Sequence, residues 1–310
     1  MSKLDFVLSL MMKENDYQNG QALAAQEAAL RLGVNLKVLY AGGDAIGQSQ
    51  QLLDIIQSST AASRPDAILC QPVGTALLQV ATEATSRGIG WALLNRDADY
   101  IRDLRRTSSA PVFSVVLDQD EIGRIQGRQL QALLPSGGLA LLVLGPTGNP
   151  VVQQRLASLQ STKPANVQVR TLTADWTETG GYKAVCRWLE LSTSRATPVS
   201  LVAAQNDNMA MGARKAFEEK LVGRDRERWA RLPYMGCDGC PSAGQEWIRR
   251  GLLRASIIMP PTAGLAVEML VQAIQTKWEL PERKQLEPTS YPAIKKLAEA
   301  YAPLSVASGR

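Results

Sequence analysis

Short apolar runs alternate with longer amphipathic stretches almost from one end of the chain to the other. The runs Phe6–Leu10, Leu36–Tyr40, Ala67–Gln71, Trp91–Asn95, Val112–Leu117, Leu139–Leu144, Val167–Leu172, Ser200–Ala204, Pro233–Cys237 and Ala255–Met259 predict strands. Between them, Gln18–Leu32, Gln48–Ser58, Thr75–Arg87, Glu121–Leu134, Thr179–Leu191, Met209–Lys220 and 261–277 repeat apolar residues at the spacing of a helix with one buried face. Strand–helix–strand repetition needs crossovers, which are right-handed, and so predicts parallel sheets covered by helices on both faces. The uninterrupted run Leu139–Leu144 fits a strand buried on both sides.

That is more strands than one compact doubly wound sheet usually holds. The expected fold is therefore α/β, with two doubly wound parallel-sheet lobes joined by several hinge crossovers. The first crossover is expected near Leu117-Asp118. Pro281 and Pro288 follow the late helix 261–277, which implies a return to the first lobe and a further crossing. The expected boundaries are 1–117 with about 260–288, and 118–259 with about 289–310. The tail Ala302–Arg310 reads as a frayed terminus.

Composition narrows the chemistry. Of 310 residues, 45% are hydrophobic and 20% charged, as in a globular protein. No apolar run approaches the ~20 residues that cross a bilayer, so no membrane insertion is expected. Net charge is +5, from 34 basic and 29 acidic residues, and no basic block reads as a nucleic-acid surface. The alternating Arg224-Asp225-Arg226-Glu227-Arg228 reads as a solvated loop or helix face. The chain contains no histidine, which removes His-based triads, HExxH zinc sites and imidazole proton shuttles. Four cysteines are present. Cys70 and Cys186 sit in apolar patterns and read as core. Cys237 and Cys240 form a C-x-x-C inside a glycine-rich turn, with no second pair to complete a metal set.

Two junctions stand out. Ala204–Ala213 places Asn206 and Asp207 where an apolar run gives way to a small-residue helix, and Leu232–Gly239 places Asp238 at a similar junction. Ligands of open parallel sheets bind beyond the carboxyl ends of the strands, where helix N-termini also point. Both blocks, in this order, resemble the type I periplasmic solute-binding proteins of sugar ABC transporters, especially the ribose and galactose binders. Leu94-Asn95-Arg96-Asp97, Gly148-Asn149-Pro150 with Arg155, and the opening strand, polar loop and helix end at Gln26–Gly33 extend the likeness over roughly residues 4–295. Repressors that share this core carry a helix-turn-helix ahead of it. The first strand here begins by Leu4, so no such module is expected.

The resemblance implies a set of ligand-binding positions. Asn15 and Tyr17 match positions that hydrogen-bond and stack on sugar. Asn95 and Arg96 match a hydroxyl-binding pair, and Asp118 lies near the crossover. Arg155 matches a cleft arginine, Trp176 a stacking aromatic, and Asn206 and Asp238 further hydroxyl ligands. Elementary chemistry agrees, because planar amide, carboxylate and guanidinium groups hold vicinal hydroxyls while aromatic rings cover the C–H faces of a sugar. Each residue also has a structural reading. Asn206 and Asp207 both suit a helix cap, and Asp207 is assigned the cap and Asn206 the cleft. Asp238 also suits a turn, Tyr17 and Trp176 a core, Arg96 and Arg155 surface ion pairs, Asn95 a strand-end turn, and Asp118 a cap.

Met259, Leu117, Val151 and Asn149 depart from the resembled pattern toward fewer hydroxyl partners and more apolar wall. A deoxy, methylated or otherwise less polar solute is therefore expected. No structural metal and no cofactor are expected.

The resulting expectation is a monomeric, non-catalytic receptor for a small sugar-like or polyol ligand, which closes about a hinge. Its partner would be an ABC permease, or a chemoreceptor or kinase. A cytosolic sensor feeding a kinase or regulator is the other version. An enzyme using Asp118 and Asp238 as a glycoside-cleaving pair is the remote one. The chain as it stands shows no export signal and reads as cytoplasmic if complete, and as periplasmic if a signal has been removed.

Overall fold

The computed structural model describes residues 3–58, 60, 63–194 and 196–302. Most of the expected terminal tail, 303–310, lies outside them. The chain divides into two compact units: one runs to Asp118 and takes back Pro260–Glu287, and the other comprises Gln119–Met259 and the chain from Pro288 on.

The first pass through the first unit gives β1 (Asp5–Leu10), α1 (Asp16–Leu32), β2 (Asn35–Tyr40), α2 (Ala45–Ser58), β3 (Ala67–Cys70), α3 (Leu78–Ser86), β4 (Gly90–Asn95), α4 (Tyr100–Thr107) and β5 (Val112–Leu117). The second unit follows with α5 (Gln119–Leu133), β6 (Gly138–Leu144), α6 (Pro150–Thr162), β7 (Val167–Thr173), α7 (Glu178–Leu189), β8 (Val199–Ala204), α8 (Asp207–Lys220), α9 (Gly223–Arg231), β9 (Tyr234–Met235), α10 (Gly244–Arg249) and β10 (Ser256–Ile258). The chain then contributes α11 (Thr262–Thr276) and β11 (Arg283–Leu286) to the first unit, and β12 (Thr289–Tyr291) and α12 (Ile294–Tyr301) to the second.

In the first unit the strands lie in the order β11-β5-β4-β3-β1-β2, and every pairing is parallel. Strand alternation explains why a continuous apolar run is needed here. Phe6, Leu8 and Leu10 pack on one face with α1 and α11, while Val7 joins Ile68 and Trp91 on the other, under α2 and α3. Leu8 is wholly buried, and truncating it to alanine would cost about 2–5 kcal/mol.

The second unit has the parallel order β7-β6-β8-β9, and β10 pairs antiparallel with β12. Leu141 and Val143 face α7 and α8 along with Val202 and Ala204, whereas Ala140, Leu142 and Leu144 face the opposite cluster with α5 and α6. Trp188, Phe217 and Trp229 fill the first of these clusters, with Phe217 and Trp229 stacked at 3.9 Å between centroids.

The helix ends follow local chemistry. The Asn15 side chain accepts the Gln18 N–H at 3.1 Å to open α1, and Gly33, at φ 70°, closes it. The alternating charges at 224–228 lie exposed on α9.

Candidate functional site

At the carboxyl edge of the first sheet, β3, β4 and β5 end at or just before the polar residues Gln71, Asn95 and Asp118. Asn15 and Tyr17 open α1 after β1, and both side chains are nearly buried. The Tyr17 hydroxyl donates to Asn95 Oδ1 at 3.5 Å, a long bond that links two of the expected ligand positions. Asn95 ends β4 at φ 70°, a left-handed conformation that asparagine tolerates better than most residues. Arg96 is half-buried, and burial lowers its guanidinium pKa. It takes part in no ion pair among the described residues. Asp118 follows β5 and accepts from Gln285 Nε2 at 3.2 Å through Oδ2, while its N–H donates to the Leu286 carbonyl.

A residue that the sequence reasoning treated only as a strand end also belongs to this edge. Gln71 is 2% exposed, its Nε2 donates to Met11 Sδ at 3.7 Å, and its buried Oε1 has no hydrogen-bond partner among the described residues. Such an acceptor is costly unless something donates to it. Gln48 shapes the same turn: its Nε2 donates to the Gln71 carbonyl and to Ser9 Oγ, and its Oε1 accepts from the Val73 N–H. The signal was a glutamine directly after the apolar run Ala67–Cys70.

The corresponding edge of the second unit is more tightly built. Arg155 lies on α6, which Asn149 caps by accepting the Val151 N–H at 3.0 Å and which Pro150 starts at its first position. The Arg155 side chain is 3% exposed. Its Nε donates to Gln119 Oε1 at 2.8 Å, Nη1 to the Gln205 carbonyl at 3.0 Å, and Nη2 to Met259 Sδ at 3.3 Å. It forms no ion pair among the described residues, so the surface-pair reading of Arg155 does not hold. Its guanidinium carbon stands 5.9 Å from the centre of the Trp176 ring.

Trp176 follows β7 at φ 72° and packs so closely on Gly145 that a Cβ there would stand 2.2 Å from the ring. The Trp176 carbonyl accepts from Asn206 Nδ2 at 2.8 Å. Gln205, another buried residue passed over in the sequence, accepts from the Gly145 N–H and donates to the Val152 carbonyl.

One expectation is corrected here. The residue that caps α8 is Asn206, whose Oδ1 accepts the Met209 N–H at 2.8 Å, whereas Asp207 is already the first helical residue. The reason is conformational: Asn206 is extended at φ −151° and ψ 167°, as a cap must be. Asp238, 4% exposed, sits after β9 at φ 118°, with its N–H on the Ile257 carbonyl and its own carbonyl accepting the Met259 N–H.

The positions that depart from the resembled pattern are also located. Leu117 is buried in β5, Val151 is half-buried in the first turn of α6, and Met259 lies against Arg155. Within the C-x-x-C, Cys237 is a buried free thiol, and burial pushes it well above its ordinary range. A thiol held protonated in this way is inert. Cys70 is likewise buried, its thiol pushed up to about 12, while Cys186 is only partly covered. Among the described residues no group of three acidic or cysteine side chains could hold a metal ion. None of the described helices is long and apolar enough to cross a membrane.

Known proteins share this fold. A solute binding protein of an ABC transporter from Actinobacillus succinogenes, solved with bound D-allose, superposes with a TM-score of 0.76 at 20% identity, covering 96% of this chain and 100% of that one. A Caulobacter myo-inositol binding protein gives a TM-score of 0.76 at 20% identity and covers 96% of both chains. In sequence, a Rhizobium meliloti protein described as rhizopine-binding is 28% identical over 201 residues, 63% of this chain. The match spans 60% of that relative's length. The model of the periplasmic binding protein domain matches residues 6–277, and the chain belongs to that family.

Proposed function

We propose that this chain is a non-catalytic, monomeric receptor for an uncharged sugar-like or polyol solute, which both units grip as they close about their connecting segments. The observation that carries the reading is chemical. The carboxyl edge of the second unit offers a guanidinium, an amide, a carboxylate and a tryptophan ring, the groups that hold vicinal hydroxyls and cover C–H faces. Asn15, Tyr17, Asn95, Arg96 and Asp118 supply comparable groups from the first unit, and Gln71 adds a buried acceptor for a ligand hydroxyl. Proteins of this fold described as binding allose, myo-inositol and rhizopine point to the same solute class. A ligand that touches both units binds the closed state better than the open one and so shifts the population toward closure.

Met259 and Val151 place a thioether and an isopropyl group beside Arg155 and at the start of its helix. They favour a ligand in which a hydroxyl is missing or methylated. We assign the working compartment to the periplasm and the recipient to an ABC permease.

A thermal-shift screen of monosaccharides, deoxy and O-methyl sugars, cyclitols and nucleosides tests this function. A true ligand at a hundredfold excess over Kd adds about 2.7 kcal/mol of stability. A screen with no hit among neutral polyhydroxylated compounds contradicts the reading. Tight ribose or glucose binding with no deoxy or methylated hit contradicts its finer part.

A further inference from the structure

Asp207 is a buried carboxylate, 2% exposed, next to the proposed ligand residue Asn206. Its Oδ2 accepts the Gly239 N–H at 2.8 Å, its Oδ1 accepts the Ser256 hydroxyl at 2.7 Å, and its own N–H donates to the Cys237 carbonyl at 2.6 Å. These bonds take hold of the chain on both sides of Asp238. The surrounding sequence is cut to admit the carboxylate: a Cβ on Gly236 would stand 2.1 Å from Oδ1, and one on Gly244 2.0 Å from Oδ2.

The other side of the same turn is tied to β10. The Asp238 N–H reaches Ile257, and its carbonyl receives the Met259 N–H. Asp238 itself stands at φ 118°, a conformation that an aspartate keeps only where its neighbours hold it. Asp207 supplies that hold from α8. A carboxylate in the first turn of a helix is also favoured by the helix dipole, so the anchor is itself well placed.

Building on the proposed function, we infer that Asp207 is a positioning residue: it fixes the turn Cys237–Gly239 against the start of α8, and so sets where the Asp238 carboxylate meets the solute. It acts through Asp238 and touches no solute itself. An asparagine at this position retains an oxygen for the Gly239 N–H and offers an N–H₂ to Ser256 Oγ. An alanine leaves both donors without the carboxylate.

The test compares Asp207→Ala, Asp207→Asn and the milder Ser256→Ala with the parent chain, each alone and combined with Asp238→Ala. In the ligand-free protein, hydrogen exchange is read at the Gly239 amide and across the rest of the second unit. Binding is read by calorimetry with D-allose, myo-inositol and an O-methyl inositol as probes. We expect exchange at Gly239 to quicken about tenfold in Asp207→Ala beyond any general increase, with Asp207→Asn close to the parent. Affinity should fall about tenfold in Asp207→Ala, one hydrogen bond's worth. That loss should vanish in the Asp238→Ala background, since the two residues act as one unit.

Unchanged local exchange, or a rise spread evenly over the unit, overturns the inference, as does an affinity loss that persists without Asp238. If Asp238→Ala leaves affinity for a bound probe intact, the ligand role given to Asp238 under the proposed function fails instead, and with or without a bound probe the exchange measurement still decides the role of Asp207.

Discussion

The two sheet edges present similar residue types in different states of restraint. In the second unit, Arg155, Asn206 and Asp238 are nearly buried, and each is fixed through several hydrogen bonds to helix ends, carbonyls or a neighbouring strand. In the first unit, Asn15, Tyr17 and Gln71 are nearly buried too, but Asn95, Arg96 and Asp118 are only half-buried and the Tyr17–Asn95 bond is long. A preorganised edge loses little freedom when it binds, whereas a looser one must be ordered at that moment. On the proposed function, Arg155, Asn206 and Asp238 need less ordering on binding than Asn95, Arg96 and Asp118.

The largest expected effect is on the restrained side. Arg155→Ala strips donors from the Gln119 oxygen and the Gln205 carbonyl, at about 1–3 kcal/mol for each buried acceptor left unmatched. Urea unfolding should show the second unit weakened by about 2–5 kcal/mol, and solute binding should be lost. If this variant unfolds like the parent, the contrast between the edges is wrong. Asn206→Ala comes next. It removes the cap of α8 and the donor to the Trp176 carbonyl, and should cost about 1–2 kcal/mol by the same measurement.

Arg96→Met should behave in the opposite way. Burial already opposes its charge, so unfolding should change by less than about 0.5 kcal/mol while calorimetric affinity falls about tenfold. A large stability loss would place Arg96 among the scaffold residues. The smallest effect concerns acid. Hydrogen bonds from Ser158 and Gln154 hold the Asp120 carboxyl below its ordinary value of 3.8. Its contribution is complete above that value and is lost as pH falls through the lower folded pKa. Asp120→Asn should therefore flatten the fall in stability of the second unit below about pH 4 and change little at neutrality.

The alternation of strands and helices was legible because strands buried on both faces need unbroken apolar runs and their covering helices need one apolar stripe. Val112–Leu117 forms a strand over those same residues. Two strands that escaped notice lack such runs. The strands Arg283–Leu286 and Thr289–Tyr291 are short and polar, the first largely exposed and the second half-buried, so pairing with β5 and β10 makes them strands, rather than burial. The expected strand Pro233–Cys237 shrinks to Tyr234–Met235 beside β8, and beyond it Gly236 and Asp238 send their N–H groups to Ala255 and Ile257.

Site residues were harder to read for a related reason. Gln71, Gln119 and Gln205 look like ordinary surface glutamines in sequence and become distinctive only when burial removes water from their amides. The choice between Asn206 and Asp207 as cap rests on one backbone angle that no composition rule supplies.

The central claim is that one solute is held by groups from both units. Calorimetric titration of the strongest hit from the thermal-shift screen against the parent, Arg96→Met and Asp238→Ala tests it most directly. The account predicts that affinity falls at least about tenfold in each single variant. Full affinity retained in either would confine binding to one unit and contradict it.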